Sequence, residues 1–104
     1  MEKKLNTTVE FEFCDGTKTE LTLTFYKLYQ LKAKDKKKYE KYMKIMSKED
    51  ADEIEMVQLL YIAYLCAHLS EEEVMDEEEF MILCGSDRQA LAKAVTELVK
   101  PKKK

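Results

Sequence analysis

The chain has 104 residues, 38% of them charged and 45% apolar, with a net charge of −3. That apolar share suffices for the core of one ordinary domain and excludes a wholly disordered chain. Two Gly, one His and no Trp leave too few glycines for a phosphate-cradling loop and too few histidines for a His-rich metal site.

The N-terminal stretch predicts a β-hairpin. Val9, Phe11 and Phe13 alternate with Thr8, Glu10 and Glu12, and Leu21, Leu23 and Phe25 alternate with Thr22 and Thr24. Asp15-Gly16 between them is a turn signal. Both apolar sets are odd-numbered, so they share a face only if the loop holds an odd number of residues. A two-residue loop sets Phe11 opposite Glu20 and turns one apolar row to water. An odd loop, for instance one with Gly16 in a left-handed bulge, is predicted to set Phe11 opposite Leu21.

From Thr24 the period becomes helical. Thr24 is a candidate N-cap, followed by Phe25, Leu28, Tyr29 and Lys32 at helical spacing. Asp35 is a second candidate N-cap. Tyr39, Tyr42, Met43 and Met46 follow at i, i+3, i+4 and i+7, and one bent helix or two separate ones both fit. Ser47-Lys48-Glu49-Asp50 has the form of a capping box and is predicted to open a long helix to about His68. Residues 56–67 are apolar almost all round, as in a helix buried on most sides, and are too few to span a bilayer.

Asp76-Glu77-Glu78-Glu79 and Ser86-Asp87-Arg88-Gln89 predict two more helix starts, with Gly85 as a left-handed stop between them. Leu91, Val95, Leu98 and Val99 form the last apolar stripe, and Lys100 and Pro101 are expected to end it. The expected fold is α+β, mostly α, in a single domain over 1–104. It has a β-hairpin over 1–24, four to five helices over 25–99 and a frayed basic tail over 100–104.

The small net charge hides an asymmetry. Residues 26–48 carry nine lysines against Asp35 and Glu40, or +7, and residues 49–79 carry twelve carboxylates and no Lys or Arg, or −12. Such segments can pair within one molecule or head to tail between copies, and the sequence leaves both open, beside the plain reading of two solvated faces. No run of about 20 apolar residues exists for a membrane span. Met1-Glu2-Lys3-Lys4 is not followed by the apolar stretch of a secretory signal, so a soluble cytoplasmic protein is expected. Cys14, Cys66 and Cys84 are odd in number and widely spaced, which fits free thiols, two of them in apolar runs.

Catalysis finds little support. His68, the one histidine, is expected to end the apolar helix near the negative end of its dipole. The runs Glu71-Glu72-Glu73 and Glu77-Glu78-Glu79 lack the spacing of a calcium loop and are expected at helix starts, so no metal or cofactor is predicted. Lysines around residues 32–44 with Tyr39 and Tyr42 suggest nucleic-acid binding through phosphate contacts and stacking. The acidic net charge and the single Arg88 argue against it. Most of the six Met and six Tyr are expected to fill the core, but methionine repacks easily, and an exposed subset, Met43 and Met46 beside Tyr39 and Tyr42, suits apolar partners. Tyr39, Tyr42, Met43 and Met46 are therefore the candidate partner-binding residues.

The order of motifs resembles one family. The hairpin leads into Leu21-Thr22-Leu23-Thr24-Phe25 and Leu28-Tyr29-Gln30-Leu31-Lys32-Ala33-Lys34. Tyr39-Glu40-Lys41-Tyr42, the block Leu60-Tyr61-Ile62-Ala63-Tyr64-Leu65-Cys66-Ala67, and Glu78-Glu79-Phe80 before Asp87-Arg88 follow. This resembles the small tail assembly chaperones of long-tailed bacteriophages and prophages of Gram-positive bacteria. The resemblance implies a non-enzymatic protein of the host cytoplasm, absent from the finished virion, that keeps the tape-measure protein soluble while the tail tube assembles. It also implies a longer frameshifted form of the chain as a partner. The alternative expectation is a nucleic-acid-binding phage accessory protein acting through the lysine-rich helix.

Overall fold

A computed structural model of the chain describes residues 8–99. A two-stranded antiparallel hairpin, β1 (Val9–Glu12) and β2 (Lys18–Leu21), precedes five helices. These are α1 (Phe25–Lys34), α2 (Lys36–Met46), α3 (Glu53–Ala67), α4 (Glu77–Cys84) and α5 (Arg88–Val99). The α+β, mostly α, architecture is the one the periodicities predict. The predicted end of the last helix at Lys100 and Pro101 and the tail over 100–104 lie outside the described residues, as does the start of the hairpin segment.

The hairpin loop is odd, as parity requires, and its register departs from expectation. Val9 rather than Phe11 stands opposite Leu21, and Phe11 stands opposite Thr19. The cause is a three-residue loop: Phe13 donates its N–H to the Thr17 carbonyl at 2.7 Å, and Gly16 donates to the Phe13 carbonyl at 3.0 Å. Gly16 has φ +90°, which glycine adopts without a Cβ clash. Asp15 Oδ1 accepts from the backbone N–H and the hydroxyl of Thr17, at 3.0 and 2.7 Å, and these bonds hold its carboxyl below the usual range. The two-residue slip preserves the face, so Phe11, Phe13 and Leu21 are all buried.

The β2 strand stops at Leu21, short of the predicted Leu23 and Phe25. Thr22 leaves the sheet, donating its N–H to the Ala63 carbonyl at 3.2 Å. Thr24 then caps α1 by accepting from the Lys27 N–H. Asp35 both closes α1 and caps α2, accepting from the Lys38 N–H, so the basic segment is two helices.

Helix α3 is the axis of the fold, with Leu59 to Tyr64 and Cys66 buried. Its cap differs from the prediction. Asp52 opens it in a reciprocal box with Glu55, while Ser47 closes α2, its hydroxyl donating to the Lys44 carbonyl at 2.9 Å. Asp76 caps α4, and Asp87 rather than Ser86 caps α5, accepting from Ala90 N–H at 3.0 Å. Gly85 ends α4 at φ +67°, and a Cβ there would meet Cys14 Cβ at 3.2 Å. The hairpin turn seats at that point, Cys14 donating its N–H to the Leu83 carbonyl at 2.8 Å. Glu77, Glu78 and Glu79 fill the first turn of α4, but Glu71, Glu72 and Glu73 lie in the α3–α4 loop, not at a helix start.

Two apolar clusters flank α3. The larger joins Phe11, Phe13 and Leu21 of the hairpin with Leu60, Tyr61 and Tyr64 of α3, Phe80 of α4, and Leu91 and Ala94 of α5. Rings meet edge to face within it, Phe13–Phe80 at 5.4 Å and 88°, a favoured aromatic geometry. The smaller joins Leu28 and Leu31 of α1 with Ile62 and Cys66 of α3. The stripe of α5 uses Leu91, Ala94, Val95 and Leu98, and Val99 is exposed.

Candidate functional site

The four candidate residues sit together on α2 and divide two and two. Ile45 is the residue that α2 buries, which marks the inner face of the helix. Tyr39 and Tyr42 flank that face, half-buried, and pack on the cluster with ring centroids 6.2 Å apart. Burial, and then the neighbouring Tyr39, push the Tyr42 hydroxyl above its ordinary pKa. Lys32 reaches across from α1, its Nζ 5.3 Å from the centroid of the Tyr39 ring, within cation–π range. Met43 and Met46 turn away from the core and are 49% and 42% exposed. The tyrosines hold the α1–α2 pair together, and the methionines face outward.

A second exposed apolar surface lies on α1. Phe25, Tyr26 and Tyr29 are 88%, 65% and 70% exposed, and the two tyrosine rings stack 6.5 Å apart. The helical spacing through Phe25 and Tyr29 predicts an inner face there, but the helix buries Leu28 and Leu31 instead. Spacing alone does not separate the two sets, since Phe25 and Tyr29, Tyr26 and Tyr29, and Leu28 and Leu31 each lie one turn apart.

His68 closes α3, as expected, with Nδ1 2.8 Å from the Tyr64 carbonyl and Nε2 3.9 Å from Glu71. It borders a hollow of about 300 Å³, together with Lys34, Asp35, Lys38 and Glu71. The nearby polar groups serve the backbone: Lys34 Nζ donates to the Leu69 carbonyl at 2.7 Å, and Asp35 caps α2. A larger hollow of about 850 Å³ opens between the hairpin and α5, lined by Phe11, Phe13, Asp87 and Lys93. Among the described residues no group of three or more His, Cys, Asp or Glu side chains is placed to hold a metal ion. Burial pushes the Cys66 thiol up to about 12 and the Cys84 thiol up to about 11, which suppresses thiolate chemistry at both.

The basic and acidic stretches pack through their apolar sides, and their charges barely pair inside the molecule. Among the described residues, Lys48–Glu55 is the one ion pair that joins them, and Arg88–Glu53 ties α5 to the start of α3. No helix of the described residues is long and apolar enough to cross a membrane. Comparison with protein-family models, curated proteins and solved structures returns no match to the chain.

Proposed function

We propose that this chain is a non-enzymatic assembly chaperone that covers apolar stripes on a long helical polypeptide, as the phage tail assembly chaperones it resembles do for the tape-measure protein. The observation that carries the reading is the pair Met43 and Met46, exposed side by side on a lysine-rich helix whose tyrosines are engaged in packing. Uncovered amphipathic helices aggregate through their apolar stripes. A flexible methionine pair accepts such stripes without demanding one sequence. Several copies bound along one client gain from avidity. On this reading the protein acts in the cytoplasm of a bacterial host, is left out of the finished particle, and has a frameshifted longer form as a second partner.

The test is co-purification with a co-expressed tape-measure protein. Met43→Ala with Met46→Ala is expected to reduce recovery of the client while the helical circular dichroism is unchanged. Retained binding by that folded variant overturns the reading. Raising the salt separates it from nucleic-acid binding, because phosphate contacts weaken steeply with salt and apolar contacts do not.

A further inference from the structure

We infer that the open edge of β1 takes up an extended segment of a partner polypeptide as a third strand, one in which lysine or arginine alternates with apolar residues. The pairing of the hairpin identifies the open groups. Phe13 donates its N–H to the Thr17 carbonyl across the turn, so Phe13, Phe11 and Val9 point their backbone N–H and C=O groups toward β2. Glu10 and Glu12 alternate with them, and their N–H and C=O groups point away from β2. Among the described residues the sheet has no third strand, and no other hydrogen bond reaches these outward groups. Unpaired edge groups of this kind are a template for strand addition.

The edge also opens onto free volume. The hollow of about 850 Å³ touches every residue from Val9 to Cys14, on both faces of the strand, and so runs along its edge. Its far wall is α5, where Ala90 and Ala94 are small. An added strand lies about 4.8 Å from β1, and its side chains alternate between the two faces of the sheet. Those on the Phe11 side turn toward Ala90 and Ala94 and are suited by apolar residues. Those on the Glu10 side face water.

Charge selects the residues on that second side. Glu10 and Glu12 are exposed, and exposed Glu20 stands directly opposite Glu10. Theirs is a non-hydrogen-bonded pair, the kind in which side chains come closest, and like charges there repel. Among the described residues no ion pair involves Glu10, Glu12 or Glu20. A lysine or arginine set beside Glu10 by the third strand offsets the repulsion, and a glutamate there adds to it. The site is separate from the methionine pair on α2. The hairpin and α5 pack in the larger cluster, whereas Tyr39 and Tyr42 seat α2 on the smaller one. The two readings therefore fail independently.

The probe is a short synthetic peptide of alternating lysine and valine, labelled with a fluorophore and titrated by anisotropy against the full chain. Saturable binding is expected below about 1 mM, the weak end of specific recognition. Three control peptides are expected to bind at least about tenfold more weakly. One has the same residues in two blocks, one has glutamate in place of lysine, and one is the alternating peptide N-methylated throughout, which keeps the charges and removes the backbone donors. Glu10→Gln with Glu12→Gln should weaken the alternating peptide by about tenfold and leave the circular dichroism unchanged, since both side chains are exposed. In the saturated complex the amides of Glu10 and Glu12 should exchange their hydrogens about tenfold more slowly or better. Failure of the alternating peptide to bind up to about 1 mM overturns the proposal. Equal binding by the block or N-methylated peptide overturns it too, because the contact is then charge alone. So does binding that leaves exchange at Glu10 and Glu12 unchanged, which places the peptide elsewhere, and so does full affinity in the folded glutamine variant.

Discussion

The hydroxyl of Tyr64 accepts a hydrogen bond from the backbone N–H of Met75 at 3.0 Å. Tyr61, one turn earlier on α3, donates its own hydroxyl to the Met75 carbonyl, also at 3.0 Å. Two stacked rings from the central helix thus satisfy both backbone groups of one loop residue and set where α4 begins. Tyr64→Phe removes the partner of the Met75 N–H and is expected to cost about 1–2 kcal/mol, read as a lower urea midpoint. Tyr61→Phe should cost about 1 kcal/mol. Hydrogen exchange tells them apart: the Met75 amide should exchange faster in Tyr64→Phe and change little in Tyr61→Phe.

Alkaline pH should destabilise the folded protein. Burial, reinforced by Glu77 and Asp76, pushes the Tyr61 hydroxyl from 10.0 up to about 12. Burial pushes the Cys66 thiol from 9.0 up to about 12. Both groups are neutral in the folded and unfolded chain below pH 9, and their contribution to stability is complete there. Above it the unfolded chain releases protons that the folded chain keeps, so stability falls as pH rises toward 12. Urea midpoints should therefore hold level to about pH 9 and then decline. Burial raises the Cys84 thiol to about 11 as well, so Cys66→Ala alone should only soften the decline, and Cys66→Ala with Cys84→Ala should delay its onset toward pH 10, where tyrosine begins to ionise. A midpoint unchanged up to pH 11 contradicts this account.

Two phenylalanines separate core from surface. Phe80 is fully buried and meets the rings of Phe13, Tyr61 and Tyr64. Phe80→Ala is expected to cost about 3–5 kcal/mol, a large part of the stability of a domain this size. Phe25 is 88% exposed, and Phe25→Ala should lie within about 0.5 kcal/mol of wild type. Thermal melts of the pair check both. A large loss from Phe25→Ala would mean that its ring is covered in solution at the concentration used, and dilution would then remove the effect.

What could be read in the sequence follows the strength of each local signal. The hairpin and the central helix rest on period, turn chemistry and composition, which act over a few residues and survive folding, whereas at Asp35 the sequence fits one bent helix as well as the two that form. The expected and observed registers differ by two because three-residue loops over 15–17 and over 14–16 give the same parity, and only the bond from Phe13 to Thr17 decides between them. The α1 face was misplaced because aromatic residues count as apolar in any periodicity. Leu28 and Leu31 win the inner side by fitting against Ile62 and Cys66, a contact more than 30 residues away in the chain. The candidate face on α2 was half legible for the same reason. Spacing groups Tyr39, Tyr42, Met43 and Met46, but only the position of α3 separates the packed tyrosines from the open methionines.

The start of α3 gives a direct test of how such signals compete. Ser47 and Asp52 are both good N-cap residues, and each is followed three residues later by an acid, Asp50 and Glu55. Asp52 takes the role because its partner is the longer side chain: Glu55 Oε1 reaches back to accept from the Asp52 N–H at 3.0 Å, while Asp52 Oδ1 accepts from the Glu55 N–H at 2.8 Å. Lys48 adds a further contact to Glu55, and that hydrogen bond is the first cause of its lowered carboxyl pKa. Asp52→Ala is therefore expected to lose about 1 kcal/mol, and Asp52→Asn, which keeps an acceptor, clearly less. Ser47→Ala removes only a hydroxyl bonded to the end of α2 and should stay within about 0.5 kcal/mol. Urea denaturation of the three variants measures the order. If Ser47→Ala proves the costlier change, α3 begins five residues earlier than described and the acidic link before it is helical.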